Sequence, residues 1–187
     1  EGPITLHSSV SEMSDIGTRE NYIFTFDPSW AETLKKNHIS VVNVGNNHSM
    51  NFGEDGMAQT KTYLEKAGVD YFGSPLRGDD RISMQSFNGL KVALVNYNQF
   101  VESGKERALE DIKTARSQAD VVILYAHWGK EYVAATDPVK ELAHQFINAG
   151  VDAIIGSHPH IVQEKEIYKG KTIYYSLGNL IFDQYQR

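Results

Sequence analysis

Short apolar runs, rich in β-branched residues, alternate along this chain with longer segments that carry helix-capping signals or amphipathic patterns. Runs at residues 39–44, 121–126 and 151–155 have the length and composition of buried strands. Helices are predicted around these runs, at residues 27–37, 54–67, 106–118 and 137–150. Because strands that alternate with helices form βαβ units, the pattern predicts an α/β fold whose strands are covered on both faces.

Two predicted hairpins add antiparallel pairs to this pattern. Asn88-Gly89 separates the strand-like residues 81–87 and 90–97, and this dipeptide is a strong signal for a two-residue hairpin turn. A second hairpin is predicted for residues 161–176, around the turn residues 169–171. The sheets are therefore expected to be mixed, with parallel and antiparallel neighbours.

The composition is that of an ordinary globular domain, and it narrows the classes of function. The chain of 187 residues has the length of one domain, and 41% of its residues are hydrophobic. The net charge is −6 and no cluster of Lys and Arg stands out, so no nucleic-acid partner is expected. The absence of cysteine excludes disulfides and thiolate metal sites. No apolar run approaches the ~18 residues that span a bilayer, so no membrane contact is expected from this segment.

Four of the seven histidines follow the three apolar runs. His48 comes after residues 39–44, His127 comes directly after the second run, and His158 and His160 come after the third. In open α/β sheets, ligands bind beyond the carboxyl ends of the strands. Each histidine alone is as well explained by a turn or a packed strand end, but histidines at three strand ends favour one shared site at the edge of the sheet.

The local sequence around these histidines is typical of metal ligands. A residue before proline avoids helical dihedral angles, and residues i and i+2 of an extended segment point the same way. His158 and His160 could therefore both reach one metal ion or two neighbouring ions. In Asn46-Asn47-His48, an asparagine carboxamide can bind a hard cation through its oxygen while the histidine supplies a proton. The alternative interpretations are a proline turn with two exposed histidines and a loop that uses asparagine for its left-handed conformations.

The other three histidines have structural or solvated explanations. His38 lies near a predicted helix end, His144 lies within a predicted helix with no nearby ligand, and His7 lies in the irregular N-terminal stretch. The sequence also has no P-loop, no Gly-x-Gly-x-x-Gly motif and no serine nucleophile elbow. The common nucleotide-binding and serine-hydrolase sites are therefore excluded.

Four ordered motifs resemble the CapA family of bacterial capsule and poly-γ-glutamate synthesis proteins, which is itself similar to calcineurin-like metallophosphoesterases. The motifs lie at residues 46–48 (NNH), 127–132 (HWGKEY), 156–160 (GSHPH) and 175–184 (YSLGNLIFDQ). The resemblance implies an α/β fold of the metallophosphoesterase type, a four-layer α/β/β/α sandwich with mixed sheets, here lacking the N-terminal first strand. It also implies two divalent metal ions (Mn, Fe or Zn) at the strand ends.

The resemblance further implies roles for individual residues. His48 is the expected catalytic residue. The expected metal ligands are Glu1, Asn47, His127, His158 and His160. Groups expected to contact the substrate or the metal ligands are Asn46, Glu164, Glu166 and Asn179. For the two glutamates, a place on the hairpin surface is an equal alternative.

Two departures from the family pattern bear on this site. The family's first motif, an aspartate-containing strand end, is missing, and the chain begins at Glu1 without a methionine. We therefore expect residues 1–187 to be a single domain, truncated at both ends, that binds metal weakly or incompletely by itself. Asn51 stands where many relatives carry aspartate, which removes a charge near the expected site.

The implied function is capsule or poly-γ-glutamate biosynthesis, with hydrolysis of a phosphoester or related bond at the metal site. The alternative is a non-catalytic factor that binds or exports the anionic capsule polymer with the help of metal ions. Amide-bond chemistry on that polymer is a third interpretation. The expected partners are an anionic polymer or phosphoester substrate and other capsule-synthesis proteins. The expected location is the cell envelope, on the extracytoplasmic side of the membrane.

Overall fold

The computed structural model of the chain describes residues 1–7, 22–76 and 80–180. Two compact units cover residues 1–83 and 84–187. The last four residues of the fourth family-like motif, residues 181–184, lie outside the described ranges. The expectation of a single domain over residues 1–187 stays a prediction.

The first unit combines two short strands with two helices. The elements are α1 (Ser29–Lys36), β1 (Val41–Asn43), α2 (Gly53–Ala67) and β2 (Asp70–Phe72). Strands β1 and β2 are parallel, with Val41 opposite Asp70. The buried apolar side chains that form its core are Ile4, Ala31, Val44, Met57, Leu64 and Val69.

Local sequence signals set the boundaries of these helices. α2 ends at Gly68, whose φ of 69° lies in the left-handed region that glycine tolerates. α1 begins at Ser29, slightly later than predicted, and Asp27 accepts hydrogen bonds from the backbone N–H (2.9 Å) and the hydroxyl (2.6 Å) of Ser29. These hydrogen bonds hold the pKa of Asp27 below its ordinary value.

The second unit is built on a six-stranded mixed sheet. The elements are β3 (Ile82–Phe87), β4 (Leu90–Asn98), α3 (Gly104–Arg116), β5 (Val121–His127), α4 (Asp137–Ala149), β6 (Ala153–Ser157), β7 (Lys165–Tyr168) and β8 (Lys171–Tyr174). The strand order is β3-β4-β5-β6-β8-β7, in which β4, β5, β6 and β8 are parallel neighbours and β7 is antiparallel to β8. The presence of parallel and antiparallel neighbours in this sheet confirms the prediction of mixed sheets.

Both predicted hairpin turns are present and have the same backbone conformation. Asn88 and Gly89 have φ values of 50° and 84°, and Lys169 and Gly170 have values of 51° and 75°. Two successive left-handed residues define the turn whose twist matches that of the flanking strands. The glycine in the second position accommodates this conformation without strain.

Large aromatic side chains pack at the carboxyl end of β5. Trp128, Phe146 and Tyr175 are buried. The ring of Tyr97 lies 6.2 Å from that of Trp128 and 5.0 Å from that of Phe146, and the rings of Trp128 and Tyr175 are stacked 6.1 Å apart. Because Trp128 directly follows His127, this packing fixes the position of the strand end that carries the histidine.

One sequence prediction about the sheet is wrong. β1, the strand before His48, pairs with β2 in a two-stranded sheet, whereas β5 and β6 belong to the six-stranded sheet. Strand pairing is a non-local choice that an apolar run does not encode. The inference that histidines meet at the edge of one sheet therefore holds only for His127, His158 and His160.

Candidate metal centre

The register of the six-stranded sheet brings three strand ends to one level. Asn98 of β4 is opposite His127 of β5, and His127 is opposite Ser157 of β6. His158 directly follows Ser157, so it leaves the sheet beside His127. Parallel pairing in this register is the reason why residues 30 positions apart in sequence become neighbours.

The three histidines of the second unit lie together as predicted. The ring centroids of His127 and His158 are 4.8 Å apart, and those of His158 and His160 are 6.0 Å apart. His127 and His158 are buried, with 3% and 7% of their surface exposed, and His160 is half-buried. Buried imidazoles in contact with one another are typical of metal ligands, since two neutral rings can share a cation.

Polar side chains contact Nδ1 of two of these rings. The Ser157 hydroxyl donates to the carbonyl oxygen of Ala126 (3.3 Å), and its oxygen lies 3.2 Å from Nδ1 of His127. Oδ1 of Asn179 lies 2.9 Å from Nδ1 of His160. A neutral ring that donates from Nδ1 has its lone pair on Nε2, and an orienting acceptor on the other ring nitrogen is the usual support of a histidine metal ligand.

The backbone that presents the histidine pair differs from the prediction. His158 and His160 have φ values of 93° and 61°, so the segment is not extended, and the alternation argument for their common direction is wrong. The two rings meet because both residues adopt left-handed conformations around Pro159. Such conformations are strained for residues with side chains, and they are found at turns and at functional sites.

Two aromatic residues that the sequence analysis missed line the same histidines. The ring of Phe100 lies 4.7 Å from that of His158 and 5.9 Å from that of His127, in edge-on contacts. The ring of Tyr132 is stacked on that of His160 at 5.7 Å. The sequence signal for Phe100 is its place just beyond the carboxyl end of β4, the strand that precedes β5.

The predicted residues of the first unit form a tight turn after β1. Oδ1 of Asn46 accepts from the backbone N–H of His48 at 2.9 Å, and the N–H of Asn46 donates to Oγ of Ser49 at 3.0 Å. Nδ1 of His48 lies 3.3 Å from Nδ2 of Asn51, and the ring of Phe24 packs against it at 4.6 Å. Asn46 thus shapes the turn that presents His48.

Glu1 and Asn47 also belong to the first unit, where Glu1 is exposed and Asn47 is half-buried. The expectation that these two residues and His48 act at the same centre as the histidines of the second unit stays a prediction.

The two predicted glutamates contact helix α4. Glu164 forms an ion pair with Lys140 (2.8 Å), which holds the pKa of Glu164 below its ordinary value and raises that of Lys140. Glu166 accepts from the Tyr175 hydroxyl (2.5 Å), the largest of the effects that lower the pKa of Glu166, and pairs with His144 at 2.8 Å. His144, expected to have no nearby ligand, therefore has a carboxylate partner, because the hairpin folds back onto α4. The roles predicted for both glutamates toward substrate stay predictions.

Residues 3–184 match the family of bacterial capsule synthesis proteins called PGA_cap. The chain belongs to this family. It is 31% identical to the PGA biosynthesis protein CapA of Bacillus subtilis, over 98% of this chain and 52% of that protein. It is 33% identical to the capsule biosynthesis protein CapA of Bacillus anthracis, over 82% of this chain and 42% of that protein. The chain thus spans about half the length of these curated relatives.

Solved structures confirm the predicted α/β fold. A hypothetical protein from Thermus thermophilus superposes with a TM-score of 0.55 at 16% identity, over 78% of this chain and 56% of that one. A putative 5′-nucleotidase from Staphylococcus aureus superposes with a TM-score of 0.55 at 15% identity, over 79% of this chain and 34% of that one. At these identities the likeness concerns the fold alone.

The matched family is described as bacterial capsule synthesis proteins, and the two Bacillus relatives are named for PGA and capsule biosynthesis. A further relative, from Mycobacterium tuberculosis, is named a probable polyglutamine synthesis accessory protein and is 24% identical over 96% of this chain and 55% of that protein. Among the described residues, no helix has both the length and the apolar character to cross a bilayer.

Proposed function

We propose that this PGA_cap chain carries a metal-dependent hydrolase site of the phosphoesterase type and acts in capsule or poly-γ-glutamate biosynthesis. The observation that supports this most strongly is the gathering of His127, His158 and His160 at the ends of parallel strands, with two of the rings oriented through Nδ1. Family membership alone supports the biosynthetic role but not a reaction.

The donor set fits the divalent metal ions that the family resemblance implies. Imidazole nitrogens suit Zn, Mn and Fe, and the chain offers no thiolate to change that preference. In this proposal His127, His158 and His160 would hold metal through nitrogen, and Glu1 and Asn47 would supply oxygen ligands for a pair of ions. Two of these three imidazoles, those of His127 and His158, are buried.

The residues of the chain have separate tasks in the proposed reaction. When bound, divalent cations neutralise charge on a phosphoryl group and acidify water. His48 donates a proton to the leaving-group oxygen, a step that is typically worth ~10²–10⁴-fold in rate. Asn46 holds the turn that presents His48, and Asn179 orients His160 through Nδ1.

The substrate in this proposal is a phosphoester or the anionic capsule polymer, and the partners are other capsule-synthesis proteins. The site works at the cell envelope, on the extracytoplasmic side of the membrane. The competing function is non-catalytic, with metal-assisted binding or export of the polymer. Both functions require metal, so turnover is the measurement that separates them.

The test uses the full-length protein loaded with Mn²⁺, an aryl phosphate, and poly-γ-glutamate. His158→Ala is expected to lower both metal content and turnover, whereas His48→Ala is expected to keep the metal and lose turnover by ~10²–10⁴-fold. His38→Asn, at an exposed position after α1 whose left-handed φ of 61° asparagine tolerates, serves as the control and should keep both. Turnover that survives complete chelation contradicts the proposal. Metal-dependent polymer binding without turnover supports the non-catalytic function instead.

A further inference from the structure

Four rings form a continuous row in the second unit. The ring of Phe100 contacts that of His158 at 4.7 Å, His158 contacts His160 at 6.0 Å, and His160 stacks on Tyr132 at 5.7 Å. The two histidines in the middle are the candidate metal ligands, whereas the phenyl ring of Phe100 has no atom that could bind a metal ion. The centre is thus flanked by aromatic surface on both sides.

Both outer rings are partly exposed to solvent. Phe100 is 48% exposed and Tyr132 is 36% exposed, although each ring contacts a histidine of the centre. The exposed phenyl face contributes little to the stability of the free protein, because its apolar surface stays in water. Such a face becomes favourable when a ligand covers it.

The backbone holds both outer rings in defined places. Tyr132 has a left-handed φ of 60°, and its N–H donates to the carbonyl oxygen of Pro159 at 2.9 Å. Gln99, next to Phe100, accepts from the N–H of Gly129 (2.7 Å) and donates to the carbonyl oxygen of Gly129 (3.0 Å). The left-handed φ of Tyr132 and the two hydrogen bonds of Gln99 thus constrain the backbone segments that carry the two rings.

We propose that Phe100 and Tyr132 form an aromatic subsite that binds a planar, apolar group attached to the phosphoryl group of the substrate. This inference rests on the proposed function and narrows its substrate class to esters whose leaving group is planar. Aromatic rings attract planar groups through stacked and edge-on contacts, whereas a short alkyl group covers much less of either ring. An aryl ligand should therefore bind better than an alkyl ligand that carries the same anionic head.

The test compares two non-hydrolysable probes, phenylphosphonate and methylphosphonate, in calorimetric titrations of the full-length protein loaded with Mn²⁺. The wild-type protein is expected to bind phenylphosphonate more tightly. Phe100→Leu and Tyr132→Asn are each expected to reduce that preference by about three- to ten-fold while leaving the affinity for methylphosphonate and the metal content unchanged. Asparagine is chosen at residue 132 because it tolerates a left-handed φ. Phe87→Leu, which removes a ring that is 58% exposed at the β3–β4 turn, is the matched control.

The outcomes distinguish this inference from the proposed function. Equal affinity of the wild-type protein for the two phosphonates, or no binding of either, overturns the subsite. A variant that loses metal and both ligands in parallel also overturns it, because the ring then only supports the histidines. The wild-type protein could also bind phenylphosphonate more tightly than methylphosphonate without hydrolysing an aryl phosphate. That result would support the subsite and contradict the catalytic proposal.

Discussion

The indole Nε1 of Trp128 donates a hydrogen bond to the carbonyl oxygen of Tyr175 at 2.9 Å, and this bond passes close above Gly156. A Cβ atom at Gly156 would lie 1.9 Å from that carbonyl oxygen and 2.7 Å from Nε1. Trp128 follows His127, and Gly156 precedes His158 by two residues. The close approach of the backbone at Gly156 therefore sets the spacing between the strand ends that carry the candidate ligands.

We predict that Gly156→Ala lowers the free energy of unfolding by about 3 kcal/mol or more, because the added methyl group meets backbone atoms that have to move. Urea unfolding at neutral pH measures the loss. Gly170→Ala is the control, because its Cβ would meet nothing within 4 Å and only its φ of 75° makes alanine unfavourable, at about 1 kcal/mol. Equal losses for the two variants would show that contact with Tyr175 and Trp128 does not matter.

A second prediction concerns Asp152, which precedes β6. Its carboxylate accepts from Arg116 (2.6 Å) and from the backbone N–H of Val122 (2.9 Å), and it also pairs with Lys171. Burial opposes ionisation, but these hydrogen bonds outweigh it and hold the pKa of Asp152 below its ordinary value of 3.8. Asp152→Asn should lower the free energy of unfolding by about 2 kcal/mol at pH 7, since two cations lose their partner.

The pH dependence of that loss has a definite sign. A carboxylate whose folded pKa is depressed stabilises the protein above its unfolded pKa, and the effect disappears as the pH falls through the folded value. The difference between the wild-type protein and Asp152→Asn should therefore be constant above about pH 5 and shrink below pH 3.8. Glu32→Gln, which removes an exposed ion pair with Lys36, is the control and should cost less than about 0.5 kcal/mol. A difference that grows on acidification would contradict the assignment.

The elements that the sequence predicted well are those governed by local rules. The Asn88-Gly89 turn and the end of α2 at Gly68 depend on the conformational freedom of a few neighbouring residues, which sequence alone reveals. The pairing of β1 with β2 depends on contacts between distant segments. An apolar run gives no information about its partner strand, so the strand-end argument placed the strand before His48 in the same sheet as those before His127 and His158.

The histidines illustrate the same limit at the candidate site. The strand-end rule predicted the neighbourhood of His127 and His158, because it depends only on parallel strands that end together. The conformation of His158 and His160 was predicted wrongly, since the bias of a residue before proline toward extended backbone is weaker than the constraints of the folded loop. Phe100 was missed because an aromatic residue near a strand end is usually part of the core, and its exposure is visible only in the structure.

A third prediction tests whether the histidines hold metal, independently of any reaction. A metal ion that binds only the folded state stabilises it by about 2.7 kcal/mol at 100 times its dissociation constant. Mn²⁺ or Zn²⁺ should therefore raise the unfolding midpoint of the wild-type protein, and a chelator should reverse the shift. His158→Ala should abolish the metal-dependent part, whereas His144→Ala should retain it, because His144 pairs with Glu166 on α4. A shift of equal size in both variants would place the bound metal elsewhere.

The last prediction concerns Asn51, whose side chain lies beside the imidazole of His48. Nδ1 of His48 lies 3.3 Å from Nδ2 of Asn51, so Asn51→Asp puts a carboxylate beside the imidazole. A nearby negative charge favours the protonated ring, and the NMR titration midpoint of His48 should move to higher pH. If His48 is the proton donor, the alkaline limb of the pH–rate profile should move in the same direction, because the acid stays protonated to a higher pH.

Asn88→Asp adds the same charge at the β3–β4 turn, where Asp-Gly preserves the turn type, and should leave the titration of His48 unchanged. A His48 midpoint that is identical in the wild-type protein and Asn51→Asp would show that residue 51 does not control the proton of this histidine.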